Sequence, residues 1–196
     1  MSVPTSSGDR PPLVLGAVVG VGAWILGYVL LFVVVGPEVQ DSVAQRFIEA
    51  VEGEPATYQM VGWVFYNAHF VDTVIVGIPG FGDQTANAIS ADDGFSQLLY
   101  LVPVGLLVTA GLGLARSQAV SEVRDGLLVG ATVLPGYLLL SALGLVLFEV
   151  AIGPATGRPA QLEAIVLAGI VYPLVFGALG GVLGAVTAGD SSDGTI

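Results

Sequence analysis

The chain has 196 residues, 54% of them hydrophobic and only 11% charged, with a mean hydropathy of +0.86. A water-soluble domain carries about a quarter of its residues as charges, so this composition excludes that class and points to a membrane helical protein. The 16 acidic residues face five arginines and no lysine, for a formal net charge of -11, which disfavours nucleic acid as a partner. Without cysteine or lysine there is no disulfide framework, thiolate nucleophile, phosphate-loop lysine or Schiff base, and one histidine cannot build a multi-histidine metal site. No cofactor and no metal are expected.

In chain order, residues 1–11 form a short polar tail. Pro12 to Val35 is a run of 24 residues without a charge. At helical rise it covers about 36 Å, enough to cross a hydrocarbon core of about 30 Å. It is too long for a signal-peptide core and predicts a retained first transmembrane helix, with Gly16 and Gly20 spaced for close helix packing. From 38 to 52 the pattern changes. Val39, Val43, Phe47 and Val51 recur at helical spacing opposite Glu38, Asp41, Glu49 and Glu52, with Pro37 suited to the first helical position. This predicts an amphipathic helix lying along the membrane surface. Residues 57–78 read as a semi-polar outer or re-entrant helix. Tyr66, His69 and Thr73 fall on one stripe, with Asp72 at its border and Asn67 nearby. Residues 79–96 are a glycine- and aspartate-bearing loop.

Three further spans are predicted at about 97–115, 126–151 and 162–188, carrying Pro103, Pro135 and Pro173. The last also holds Gly177, Gly180, Gly181 and Gly184 at small-residue spacing, suited to packing within the bundle or against a second copy. The expected fold is therefore all-α: a single membrane domain over 1–189 with four transmembrane helices, an outer segment at 36–96, and a disordered acidic tail at 190–196. The alternative is five spans, with 57–78 crossing. Arginine placement favours neither model. Inserting an aspartate costs about 2.5–3.5 kcal/mol, which favours four spans with both termini cytoplasmic. Trp63, Tyr66, Tyr58 and Tyr100 suit the outer interface, and Arg158 is placed to pair with Glu149 or Glu163.

The candidate site is Tyr66, His69, Asp72 and Thr73. On one helix, Asp72 would sit three residues after His69, orienting its imidazole and raising its pKa. Such a pair relays protons, contacts an ion or substrate, or simply satisfies buried hydrogen bonds. Asp83, Asp92 and Asp93 supply hard oxygens, but acidic loops of this kind are mostly solvated. With no catalytic constellation, the function expected is a non-enzymatic accessory or structural subunit of a membrane assembly. The alternative is a small permease or channel lined by His69 and Asp72. The expected partners are the lipid bilayer and a protein partner or second copy docking through the glycine-rich faces.

The first span, the acidic amphipathic helix, the segment Trp63-Val64-Phe65-Tyr66-Asn67-Ala68-His69-Phe70-Val71 and the three proline-bearing spans together resemble a family of uncharacterised haloarchaeal membrane proteins. The acidic, lysine-free composition resembles that of halophile proteins, whose excess charge is screened at molar salt, where the Debye length is about 3 Å. The resemblance implies cell-membrane localisation and a compact helical bundle. It carries no catalytic residue onto this chain.

Overall fold

The chain begins with one long helix, α1 (Leu13–Asp41), in the computed structural model, which describes residues 12–80, 82–90 and 94–189. The expected polar tails at 1–11 and 190–196, and Asp92 and Asp93, lie outside the described residues. The helix runs past the apolar stretch because Pro37 sits inside it instead of starting a new one. Only Val43–Glu52 form α2. Ser42 starts it by accepting a hydrogen bond from the Gln45 N–H, and Gly53 ends it in the left-handed conformation (φ 80°).

Residues 57–78 are not one helix. Thr57–Asn67 form α3, and the β-branched run that follows enters a strand, β1 (Thr73–Ile78), paired with β2 (Gly82–Ala86). A 3₁₀ turn at Gln97–Tyr100 leads into α4 (Leu101–Ser117). The third apolar stretch is α5 (Val123–Ala131) and α6 (Leu134–Leu147), offset at Thr132 and Val133 just before Pro135. It ends at Leu147 instead of 151, because Val150–Ile152 form β3, hairpinned to β4 (Ala155–Pro159). The chain finishes with α7 (Gln161–Glu163), a π-helical stretch at Ala164–Val171, and α8 (Tyr172–Gly189). The wide turns precede Pro173, which has no N–H to offer the Gly169 carbonyl.

The fold is therefore a helical bundle with a small sheet, not all-α. The sheet order is β2-β1-β4-β3, every pairing antiparallel, with β1 joining the two hairpins. Four helical stretches are long and apolar enough to cross a membrane: Leu13–Asp41, Gln97–Ser117, Val123–Leu147 and Gln161–Ala188. Residues 57–78 supply none, since α3 has 11 residues. The sheet and α2 cap the end of the bundle where α6 finishes and α4 and α7 begin, and α3 runs back into the bundle between α1 and α6, its Phe65 against Trp24 and its Tyr66 against Ser141.

The bundle is built with small residues inside and large ones outside. On α1 the buried positions include Gly16, Gly20, Ala23 and Gly27, while Val14 and Val33 are 81% and 70% exposed. Gly16 and Gly20 lie against Thr132 and Val133, and Gly136 of α6 returns the contact onto Ala17. Gly177 and Gly181 face Gly130 and Gly126 of α5, and Gly180 and Gly184 face Val108, Leu112 and Ala115 of α4. All six glycines singled out in the sequence thus meet another helix of the same chain. A Cβ at most of them would strike backbone. Close backbone approach of this kind maximises dispersion contact where no hydrophobic effect separates helix from solvent.

Candidate functional site

Helix α3 is fitted into the capped end of the bundle by its aromatic side chains. Gly62 lies against the Phe148 ring, and Trp63 donates its indole N–H to the Phe148 carbonyl at 2.7 Å. One turn on, the Tyr66 hydroxyl donates to the Ser141 carbonyl of α6 at 2.5 Å. Trp63 and Tyr66 are therefore buried within the chain, while Tyr58 stays half-exposed. Phe65 meets Trp24 edge-on with ring centroids 4.9 Å apart, locking α3 to α1.

The helix stops at Asn67, and the chain reverses through Phe70, which takes a left-handed conformation (φ 59°). A bulky residue there costs about 1–3 kcal/mol of backbone strain. Phe70 is thrown outward and stacks on Tyr100 at 4.2 Å, fastening the reversal to the start of α4. Because of this reversal, Tyr66, His69 and Thr73 do not share a helical stripe, and Asp72 is not poised over the imidazole.

His69 is fully buried between helices. Its backbone N–H has turned to the Tyr66 carbonyl, and its imidazole Nδ1 lies 2.8 Å from the Phe65 carbonyl. A carbonyl only accepts, so Nδ1 carries the proton. Nε2 is then the acceptor, and the Tyr137 hydroxyl donates to it at 2.7 Å. Tyr172 packs on the same ring at 4.8 Å, and its hydroxyl reaches the Ala68 carbonyl at 3.5 Å. Burial pushes the His69 pKa down, the opposite of the rise expected from a carboxylate neighbour. The imidazole is a neutral, doubly engaged fastener between α3 and α6.

Asp72 is half-exposed and works on the sheet side. Its carboxylate accepts from the Asn87 side chain at 3.3 Å, its carbonyl accepts from Ala160 at 2.8 Å, and its N–H donates to the Glu163 carboxylate at 3.4 Å. Thr73 opens β1, its hydroxyl 3.4 Å from the Asn67 amide. Asn67 also donates to the Val71 carbonyl and accepts from the Ala88 N–H, so one buried amide holds the reversal and the segment after β2. Asp83 is exposed on β2. Arg158 sits 3.7 Å from Glu149, one of the two partners expected for it, across the β3–β4 hairpin.

The residues that sequence reasoning missed are Tyr137 and Tyr172. Each is the only tyrosine of its apolar stretch and lies within two residues of that stretch's proline. A lone phenol in a long apolar run was the available signal, since a buried hydroxyl needs a partner. Among the described residues, the Ser141 hydroxyl and the Trp24 indole N–H are buried without a partner near this cluster, and no three histidine or carboxylate side chains gather at metal-binding spacing.

Residues 2–188 match the model of a family of unknown function, DUF7978. No curated protein and no solved structure matches the chain.

Proposed function

The chain belongs to DUF7978, a family of unknown function, and we propose that it is a non-enzymatic, multi-pass membrane protein acting as an accessory or structural subunit of a membrane assembly. The membrane reading is supported by the inverted packing of the bundle. Leucines and valines such as Val146 and Leu162, 78% and 77% exposed, cover its outside, while glycine and alanine fill its seams. Water penalises that arrangement by about 25 cal/mol per Å² of apolar surface, and a bilayer does not. The cap then lies on the outer face, both termini are cytoplasmic, and the acidic composition suits a high-salt organism. The apolar stripe of α2 turns Val43, Phe47 and Val51 away from the body, as an interfacial helix would.

The subunit reading rests on how the polar side chains inside the bundle are used. His69, Tyr66 and Asn67 all bond to neighbouring parts of this chain and hold the cap in place. The test is extraction from native membranes in a mild detergent, with sizing of the particle and flux assays on the purified chain in liposomes. A particle larger than the monomer with a stoichiometric partner, and background flux, is expected. A lone monomer that carries ions or protons, with flux lost in His69→Ala, would replace this reading with a permease.

A further inference from the structure

The cap encloses a pocket of about 420 Å³ between the end of α1, the start of α2, α3 and the β1–β2 edge. Its size falls within the range of about 300–1,000 Å³ typical of small-molecule sites. The wall is mostly apolar, with Val39, Met60, Val64, Ile75 and Phe95 in it beside Trp63. Its amides are already engaged. Asn67 bonds to Val71 and Ala88, and Asn87 bonds to Asp72 and to the Ile89 N–H. Among the described residues no arginine lines it, and the one charged residue in its lining is Glu38, exposed on α1.

We propose that this pocket binds the apolar chain of an uncharged amphiphile. The wall rewards burial of hydrocarbon and offers a polar ligand little that its own groups have not already taken. A carboxylate or phosphate head at the mouth would meet the Glu38 carboxylate with no cation in the lining to offset it. A neutral hydroxyl or ester head meets no such repulsion. This goes beyond the subunit role above and is carried by the pocket wall alone.

The test uses the full chain in lipid nanodiscs, a diazirine-bearing long-chain alcohol, and the fatty acid of the same chain length at pH 8. Saturable photo-labelling of Met60, Val64 or Phe95 by the alcohol, about two- to fivefold stronger than by the acid at low salt, is expected. Ala44 and Ala86 are exposed residues in the pocket lining and lie outside the membrane-length helices, so Ala44→Trp and Ala86→Trp each place a large ring at the pocket without altering a bundle seam. Both should abolish that labelling and leave labelling of the bundle exterior unchanged. Labelling confined to the exterior, labelling that survives both substitutions, or equal labelling by the acid overturns the proposal.

Discussion

Replacing Tyr137 with phenylalanine keeps the ring and removes the O–H that His69 Nε2 accepts at 2.7 Å. The imidazole is fully buried, so Nε2 cannot turn to water. An orphaned buried acceptor costs about 1–3 kcal/mol, whereas hydrogen bonds between membrane helices average about 0.6 kcal/mol and reach about 1.7. The overlap sets the expected loss for Tyr137→Phe at about 1–1.7 kcal/mol. Tyr66→Phe should cost less than about 1 kcal/mol, because the Ser141 carbonyl lies inside α6 and keeps its helical partner. His69→Phe should cost most, about 2–3 kcal/mol, since it strands both the Tyr137 hydroxyl and the Phe65 carbonyl. The double mutant closes the cycle with a coupling of about 1 kcal/mol or more. The assay is reversible unfolding in mixed detergent and dodecyl sulfate micelles, followed by tryptophan fluorescence. Tyr137→Phe as stable as the wild type, with no coupling to His69, would refute the idea that this bond fastens the cap.

Acid should loosen the same joint. The unfolded chain takes up a proton near the ordinary histidine value of about 6.5, while folded His69, its pKa pushed down by burial, refuses it. Its contribution to stability is therefore complete above that pH and lost as pH falls below it. His69→Gln should flatten this limb of the stability profile, and an unchanged profile assigns the acid sensitivity to carboxylates. Two glycines on α4 test the seam: a Cβ at Gly111 strikes the Gly177 carbonyl, while one at Gly113 meets nothing within 4 Å. Gly111→Ala should cost at least about 1–3 kcal/mol through overpacking. Gly113→Ala should be neutral or gain up to about 1 kcal/mol in helix propensity. Equal effects in the same unfolding assay would contradict the packing described for α4 and α8.

The four long helices were legible because their evidence is local: uncharged runs of sufficient length with glycines at packing spacing. The sheet was not. Thr73-Val74-Ile75-Val76 is apolar and β-branched, and a short run of that kind reads equally as buried helix or strand. Its partners, Gly82–Ala86 and Ala155–Pro159, have no alternating pattern, and β4 comes from some 80 residues away. His69 stood out as the only histidine, but its nearest carboxylate in sequence misled the site reading. The true partner, Tyr137, is 68 residues distant and reached only through tertiary packing. The extension of α1 to Asp41 was hidden by Pro37, which suits a helix start as well as a tolerated interior position.

Four crossings with the cap on one face can be checked by placing single cysteines in this cysteine-free chain and labelling sealed vesicles with an impermeant reagent. Exposed positions are at hand in Glu54 after α2, Asp83 on β2 and Gln118 beyond α4. Cysteines at Glu54 and Asp83 are expected to label from the same side and that at Gln118 from the opposite side. Labelling at Glu54 and Asp83 from opposite sides would mean that residues 57–78 cross the membrane, contradicting the four-span cap and returning His69 to the middle of a fifth span.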